Sequence, residues 1–293
     1  MYHFMTEPEL QGQHRISQIY LKQFGFKRDD KWYISVWRKF INHTDIELID
    51  TFSKEVNIFD LPFIDFKLRR HFENTSNQIE SEYGKIINTL ANQHQLIPRH
   101  KNILCHYVAN LICRTKSYRN SFDLLLKSEQ TKTKFLNEIT MFQEETLPEL
   151  QEFLGMLEQE FQLNIVIGTL MNHLVRVFRA FSFVILKDYG NRGWCTSDNP
   201  IILEKQNNHS WIVPIETEIY FPLSKNFCLF MFNKHSHIQT NQLRQFKINK
   251  VNPSDETTHR NISDRILHND NEFLILPIEI NKTYFDSSEK NDT

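Results

Sequence analysis

Residues 193–201, GWCTSDNPI, place Ser197, Asp198 and Asn199 directly before a proline. Asp198 could act as a general base or hold a divalent metal ion, and Asn199 could orient a phosphate or a carbonyl group. The same residue types also build ordinary turns, because Asp and Asn side chains bond to their own backbone and proline fixes its φ angle. The pattern is therefore typical both of a reactive group and of a structural turn.

His14 and Arg114 are the next candidates for chemistry. A histidine pKa near ~6.5 suits a general acid or base at neutral pH, although a histidine near a helix start also often bonds to backbone. Residues 98–127 have an apolar stripe at helical spacing. If they form one continuous helix, with about 100° per residue, Arg114 and Arg119 lie on the two opposite shoulders, or edges, of that stripe. A shoulder arginine usually leaves its guanidinium in water, which is the interpretation favoured for Arg119. Arg114 could instead grip a phosphate, or the carboxylate of Asp198, with two parallel bonds.

Two further sets of charged side chains lie on predicted helices. Arg176 shares a polar stripe with Asn172 and Arg179, at i, i+4 and i+7 spacing on an otherwise apolar helix. This stripe predicts either a solvent-facing edge or one side of a cleft. Glu80 and Glu82 point about 200° apart on a helix, so at most one of them faces inward.

The remaining histidines and the cysteines give weaker metal signals. His235 and His237 would share one face of a strand, a spacing that metal sites use, but no third ligand is obvious nearby. His259 and His268 are expected to be exposed on a helix. The four cysteines form no CxxC pair and no zinc-like spacing, which predicts free thiols in a reducing compartment.

Composition restricts the function classes. The chain has 293 residues and a formal net charge of -2, so it has no overall positive field that would attract an anionic partner. It contains only 7 glycines, which argues against a Gly-rich phosphate-binding loop. The absence of GxSxG, P-loop, Rossmann and HExxH motifs argues against serine hydrolase, nucleotide triphosphatase and zinc protease activities. No signal peptide is recognisable, and charged residues interrupt the most apolar stretch. A cytoplasmic protein with no membrane partner is therefore expected.

The secondary structure that must position these residues is predicted to run, from the N-terminus, as strands, then helices, then strands. Helical spacing predicts a first helix through QHRISQIYLKQFGF and others over residues 64–95, 98–127, 129–160 (with a break near Pro148), 162–180 and about 255–268. Strands are predicted in KWYISVWRKF and INHTDIELID, and in several segments such as EIYFPLS and FCLFMFN near the C-terminus. The layout predicts an α+β fold in which a helical middle (64–180) packs on a mostly antiparallel sheet formed by N-terminal and C-terminal strands, the latter within a β-rich part (181–280). Residues 1–285 are expected to form a single domain and residues 286–293 a loose tail.

Several short motifs resemble the uncharacterised bacterial family called domain of unknown function 4238. The stretch HRISQIYLKQF follows the family's H-Y-x-P-x-x-Y-L-x-x-F pattern at His14, Tyr20, Leu21 and Phe24, and departs from it at Arg15 and Ser17. Other matches follow in order within residues 14–270: the acidic pair Glu80 and Glu82, RTKSYR with Lys116 in place of the family's proline, TSDNPI, PLS at residues 222–224, and Asn252. The resemblance implies a cytoplasmic bacterial protein, in some cases from a mobile or defence-related gene setting, and brings no established reaction.

Together these residues predict a hydrolase that acts on a phosphorylated, nucleotide or nucleic-acid substrate, in its specific form a nuclease-type defence or toxin effector. His14 would move the proton, Arg114 would steady the developing anion, and Asp198 would orient a water or a divalent ion, Mg²⁺ or Mn²⁺. Asn199 is the fourth catalytic candidate, as the residue that would orient a phosphate or a carbonyl group. Substrate binding is assigned to Arg119, Arg176 and Ser197, and metal binding to Asp198. The alternative is a non-catalytic regulatory module that binds a ligand or a protein and whose Arg–Asp cluster is structural. The sequence gives no oligomeric state.

Overall fold

The computed structural model describes residues 10–141, 147–157, 159–204, 212–213, 217–233, 245–269 and 271–277. The described strands are β1 (Gly12–His14), β2 (Phe26–Arg28), β3 (Lys31–Arg38), β4 (His43–Leu48), β5 (Lys54–Val56), β6 (Phe181–Lys187), β7 (Thr196–Ser197), β8 (Ile202–Glu204), β9 (Glu218–Ser224), β10 (Phe227–Asn233), β11 (Val251–Pro253) and β12 (Phe273–Leu276). The described helices are α1 (Gln18–Leu21), α2 (Phe66–Arg69), α3 (His71–Ser81), α4 (Tyr83–Gln93), α5 (Pro98–Arg114), α6 (Lys116–Leu126), α7 (Glu129–Thr140), α8 (Leu147–Gly155), α9 (Gln159–Arg179) and α10 (Glu256–His268).

Helices fill the middle of the chain and strands fill its two ends, so the expected α+β class is confirmed. The first sheet has the order β2–β3–β12–β7, with β4 also paired to β3, and its pairings are antiparallel. The second sheet has the order β11–β6–β10–β9–β8, in which β11 and β6 run parallel and the other pairs antiparallel. A small ribbon pairs β1 with β5. Because β12 joins the N-terminal strands, the two ends of the chain meet in the first sheet.

Strand β10 explains why the predicted C-terminal strands are so apolar. All of its residues are buried. Leu229 and Met231 pack in the main core, whereas Phe230 and Phe232 pack in a smaller core that includes Ile262 of α10. Since both faces of the strand are covered, its sequence is apolar throughout and does not alternate.

The helix predicted over residues 98–127 is two helices, α5 and α6. Thr115 between them has an extended backbone (φ -67°, ψ 143°). Arg114 and Arg119 therefore lie on different helices, and the expected geometry of opposite shoulders on one helix is wrong. The expectation that Arg119 leaves its guanidinium in water is also wrong, because the side chain is buried and donates to Asn164 Oδ1 at 2.5 Å.

Two other predicted helices are shorter than their apolar spacing indicates. The first helix is reduced to α1, because residues 12–14 pair with residues 54–56 as a strand. The segment 64–95 is divided into α2, α3 and α4, with Arg70 and Glu82 at the two junctions.

Helix α9 is central, as its apolar sequence predicts. Leu170, Leu174 and Phe178 are fully buried, and the helix packs against α5. Arg176 is exposed, which agrees with the solvent-facing alternative for its stripe. In the described ranges, no helix is both long enough and apolar enough to cross a lipid bilayer.

Buried and half-buried histidines make the stability of the fold depend on pH. The pKa values of His14, His100, His106, His173 and His259 all lie below the ordinary value of 6.5, with burial as the largest cause in each case. His259 was expected to be exposed, and this expectation is wrong because its ring, on the inner side of α10, is buried against the ring of Trp194. His268 is exposed, as expected.

Acidification from about pH 7.5 to about pH 5.5 is expected to lower the Tm by roughly 3–8 °C. Histidines of the unfolded chain take up protons as the pH falls through ~6.5, whereas the folded histidines resist until a lower pH. The unfolded state therefore binds more protons in this window, and stability falls with the pH. Calorimetry of the His173→Gln protein should give a smaller decrease in Tm, and the exposed control His268→Gln should give the parent's decrease. A Tm that stays constant or rises on acidification would contradict this reasoning.

Candidate functional site

A polar pocket of about 370 Å³ lies where the N-terminal segment meets α3 and the end of α5. We call it the His14 pocket. Its lining side chains are almost all polar: His14, Ser17, Gln18, Ile19, Lys22, Glu73, Asn77, Glu80, Ser81 and Arg114. The structure therefore brings His14 and Arg114 together, as expected.

Helix α3 supplies the acidic side of the pocket. Glu73, Asn77 and Glu80 follow i, i+4 and i+7 spacing, which places them on one face of the helix. Glu82 points away and pairs with Lys85 at 2.6 Å. The expectation that at most one of Glu80 and Glu82 faces inward is confirmed.

Arg114 ties the pocket together. Its guanidinium donates from Nη1 to Glu80 Oε1 at 2.6 Å, and from Nη2 to the backbone carbonyl of His14. Nη2 also lies 3.5 Å from Glu73 Oε2. The Phe59 ring covers the guanidinium at 5.1 Å. Arg114 is only 1% exposed, so it holds α3 and the N-terminal segment in place from the inside.

The other oxygen of Glu80 is also bound. Ser17 donates from Oγ to Glu80 Oε2 at 2.6 Å. Glu80 thus accepts one bond from α5 and one from the segment that carries His14. Arg114 pairs with Glu80 and Glu73 and not with Asp198, so the expected Arg114–Asp198 pair is not formed.

The imidazole of His14 is held through one ring nitrogen. Nε2 lies 3.1 Å from the backbone carbonyl of Asp50 and 3.2 Å from the side-chain amide of Gln18. A carbonyl oxygen only accepts hydrogen bonds, so the Asp50 contact requires the proton on Nε2 and leaves the lone pair on Nδ1. The Gln18 amide nitrogen is itself a donor and could bond only to the other tautomer, so we assign the proton to Nε2 from the shorter Asp50 contact. Burial is the largest influence on the His14 pKa and lowers it, with Lys54 and Arg114 acting in the same direction. His14 therefore favours its neutral form more than an exposed histidine does.

Glu73 is shifted in the opposite direction. Burial raises its pKa above the ordinary value of 4.5, and the nearby Arg114 only partly offsets this. Its Oε2 atom is buried and accepts no hydrogen bond from the described residues. A carboxyl in this setting favours its protonated form more than an exposed one does. The His14 pocket therefore pairs a histidine with a lowered pKa and a carboxyl with a raised pKa, an arrangement found in acid–base catalysis.

Asp198 does not line the His14 pocket. Its Oδ1 accepts the backbone N–H groups of Glu272 at 3.1 Å and Phe273 at 3.0 Å, and its Oδ2 accepts that of Glu272 at 3.2 Å. These bonds join the end of β7 to the start of β12, so Asp198 fixes an edge of the first sheet. It borders a separate cavity of about 310 Å³ that also contains Arg15 and Lys116.

The expected meeting of His14, Arg114 and Asp198 in one cleft is therefore not observed. The reason is that Asp198 bonds to backbone N–H groups 74 and 75 residues further along the chain, a pairing that its local sequence does not indicate. The expected metal role of Asp198 fits poorly, because its oxygens already accept backbone hydrogen bonds. Among the described residues, no three His, Cys, Asp or Glu side chains are grouped as metal ligands. His235 and His237 lie outside the described residues.

The other predicted site residues have structural contacts outside the His14 pocket. Ser197 is buried, and its Oγ accepts the backbone N–H of Asn199 at 3.2 Å. The Asn199 carbonyl accepts a hydrogen bond from Asn269 at 3.0 Å. Arg119 is buried against Asn164, and Arg176 lies at the exposed side of α9. The TSDNP stretch is thus mainly a structural turn in the described part of the chain.

Replacing Asp198 with asparagine is expected to lower the free energy of unfolding by about 1–3 kcal/mol. An amide oxygen can accept only some of the backbone bonds that the carboxylate accepts, and its NH₂ group would face N–H donors. Urea denaturation measures the change. Asp264→Asn on the exposed side of α10 is the control and should change the free energy by less than about 0.5 kcal/mol. Unchanged stability of the Asp198→Asn protein would remove the structural role assigned to this carboxylate.

A buried tyrosine links the motifs that carry the family resemblance. The Tyr20 hydroxyl lies 2.5 Å from Thr196 Oγ1 and donates to the Pro222 carbonyl at 2.8 Å. Tyr83 donates in the same way to the Leu223 carbonyl at 2.6 Å. These bonds lie in the core where α1, α4 and β9 meet. They fix α1, and with it the residues that line the His14 pocket.

Among the polar residues that line the pocket, sequence reasoning missed six: Ser17, Gln18, Lys22, Glu73, Asn77 and Ser81. One signal was present for Glu73, because its i, i+7 relation to Glu80 places both carboxylates on one helix face. Gln18 and Lys22 follow His14 at i+4 and i+8, but α1 begins only at Gln18, so helical spacing from His14 does not apply.

Comparison with known proteins gives one match. Residues 12–279 match the family described as "Protein of unknown function (DUF4238)". No curated protein and no solved structure matches the chain.

Proposed function

The chain belongs to the DUF4238 family, and we propose that it is a hydrolase of phosphate esters whose reacting groups are His14 and Glu73. The observation that carries the proposal is that one pocket contains a neutral imidazole and a buried carboxyl whose pKa values are displaced in opposite directions. Such a pair can supply the base and the acid of a hydrolysis at the same time.

The role proposed for each side chain depends on which of its atoms already has a hydrogen-bond partner among the described residues. Nδ1 of His14, which accepts no hydrogen bond from the described residues, takes a proton from a water molecule as the water oxygen attacks phosphorus. The protonated carboxyl of Glu73 gives its proton to the oxygen of the leaving group as the phosphorus–oxygen bond breaks. Arg114 does not bind the substrate in this scheme, because Glu80 and the His14 carbonyl occupy its guanidinium. It positions His14 and Glu73.

Lys22 supports an anionic substrate. It lines the His14 pocket, and its ammonium has no ion-pair partner within the described residues. The charges of Arg114 and Glu80 offset each other. When Glu73 is protonated, as the proposed acid must be, Lys22 leaves the pocket with one uncompensated positive charge, which suits a phosphate group.

Action on a nucleotide or nucleic acid, in a cytoplasmic defence or toxin setting, is a narrower form of this proposal. The formal net charge of -2 gives no general attraction for polyanions, so recognition would depend on the pocket. In a metal-assisted alternative, Glu73 would be ionised and would hold Mg²⁺ or Mn²⁺ together with a substrate phosphate instead of donating a proton, since Mg²⁺ sites often use one or two carboxylates and substrate oxygens.

The test is a hydrolysis assay with the purified protein, using p-nitrophenyl phosphate, bis-p-nitrophenyl phosphate, nucleotides, and RNA and DNA oligonucleotides. Each substrate is assayed with Mg²⁺, with Mn²⁺ and with EDTA, which separates a proton role of Glu73 from a metal role. Glu73→Gln is expected to lower kcat by about 10²–10⁴-fold. Glu82→Gln is the matched control, because it lies on the opposite face of the same helix junction and should keep the parent rate. Activity that survives in the Glu73→Gln protein would reject the proposed acid.

A specific observation favours the second candidate, a non-catalytic binding module. Arg114 is buried, and both of its Nη atoms donate to protein groups, as expected of a structural lock. In that case the pocket would bind inorganic phosphate or a phosphate ester without turnover on any substrate in the panel. Binding without hydrolysis, measured by calorimetry, would select this candidate.

A further inference from the structure

A second pocket, of about 310 Å³, lies between the second sheet and α10. We call it the α10 pocket. Leu186, Tyr220 and Phe230 of the sheet form an apolar and aromatic floor, and Asn261 and Arg265 of α10 contribute to a polar wall. Pockets with an apolar surface and a few converging polar groups are typical of small-molecule sites.

Two of the three charged side chains at this pocket are already balanced by the protein. Arg265 pairs with Glu204 at 2.9 Å and covers the Tyr220 ring at 5.1 Å. Asp255 lies at the N-terminus of α10, where its Oδ1 accepts the Thr258 N–H at 2.7 Å. The positive end of the helix dipole offsets much of the Asp255 charge.

Glu218 carries the charge that remains. Its Oε2 accepts the Tyr220 hydroxyl at 2.5 Å. Within the described residues its Oε1 accepts no hydrogen bond, and neither oxygen has a cation within ion-pair distance. A partly buried carboxylate with no cation is unfavourable, and a positively charged ligand would relieve this.

We propose that the α10 pocket binds a small organic amine, whose ammonium meets Glu218 and whose carbon body lies against Leu186, Phe230 and Phe246. Carboxylates and aromatic rings both attract an ammonium group, and the apolar floor favours a hydrocarbon or aromatic body. An anionic ligand is disfavoured because it would face Glu218 and Asp255. This site shares no lining residue with the His14 pocket, so the inference does not depend on the proposed hydrolysis.

Phenethylamine is a suitable probe, and 3-phenylpropionate is its anionic counterpart with the same ring. Isothermal titration calorimetry at low salt is expected to give saturable binding of the amine and none of the acid. Glu218→Gln keeps an acceptor for the Tyr220 hydroxyl but removes the charge. It is expected to weaken amine binding by at least about tenfold.

Control variants separate this site from general effects. Glu256→Gln removes an exposed α10 carboxylate that pairs with Arg192 and does not line the pocket, so it should keep the parent affinity. Asn261→Phe fills the pocket with a bulky ring and should abolish amine binding while the Tm stays near that of the parent. His14→Ala should bind the amine normally, whatever the outcome of the hydrolysis assays. The proposal is overturned by equal binding of amine and acid, by equal affinity in the Glu218→Gln protein, or by no binding of phenethylamine up to about 10 mM.

Discussion

Replacing Arg114 with methionine is expected to lower the free energy of unfolding by about 3–5 kcal/mol. The guanidinium is nearly inaccessible and neutralises Glu80, with Glu73 close by. Methionine fills much of the same volume, so the lost charge and hydrogen bonds cause most of the change. Glu80 would remain without its cation, as would Glu73 where it is ionised, and the His14 carbonyl would lose its donor. Urea denaturation followed by circular dichroism measures the effect.

The control for this variant is Arg179→Met, at the exposed end of α9, where the arginine bonds only to Asn102 among the described residues. Its free energy of unfolding should change by less than about 0.5 kcal/mol. The double variant Arg114→Met with Glu80→Gln should be more stable than the sum of the two single changes, by about 1–3 kcal/mol, because it removes the unpaired charge. A loss below about 1 kcal/mol in the Arg114→Met protein would show that the cluster is not a structural lock.

Replacing His14 with alanine is expected to lower kcat/KM by about 10²–10⁴-fold for the phosphate ester that the parent protein hydrolyses. The side chain is only half-buried, so the loss of rate should greatly exceed the loss of stability. His268→Ala is the matched control, because that ring is exposed at the end of α10 and bonds to the Asp264 carbonyl. Equal loss of activity in both variants would reject His14 as the base.

The pH dependence of kcat/KM provides a second test of His14 as the base and Glu73 as the acid. A base must be unprotonated, so the rate should fall as the pH drops through the His14 pKa, which burial places below 6.5. An acid must be protonated, so the rate should fall as the pH rises through the Glu73 pKa, which burial places above 4.5. The profile should therefore be bell-shaped, and Glu73→Gln should remove the alkaline side of the bell.

Much of the fold could be predicted because helices and strands leave a pattern of apolar residues that is visible within a short stretch of sequence. The uninterrupted apolar run of β10 and the helical spacing of α9 and α10 all correspond to observed elements. The break at Thr115 was missed because apolar spacing continues across it into α6. A threonine in this position is a common start of a helix, and this signal was present but was outweighed by the stripe.

The candidate site was only partly predictable. The meeting of His14 with Arg114 was expected, whereas the assignment of Asp198 to the same cleft was not supported. An Asp in a turn before proline has the same local sequence whether it binds a substrate or backbone N–H groups from a distant strand. The choice depends on the pairing of β7 with β12, which brings residues 74 and 75 positions apart into contact. Glu73 could have been chosen from its helical relation to Glu80, once Arg114 was assumed to need an acidic partner.

A neutral His14 with Nδ1 facing a phosphate-binding pocket is tested most directly by NMR of protein labelled with ¹⁵N in its histidine rings. At pH 7 we expect the His14 ring to be the neutral Nε2–H tautomer, bonded to the Asp50 carbonyl. Inorganic phosphate should shift its Nδ1 resonance in a saturable way, and Lys22→Met should abolish that shift. A His14 that is protonated on both nitrogens at pH 7, or a resonance that does not respond to phosphate, would contradict the assignment of this pocket as a hydrolytic site.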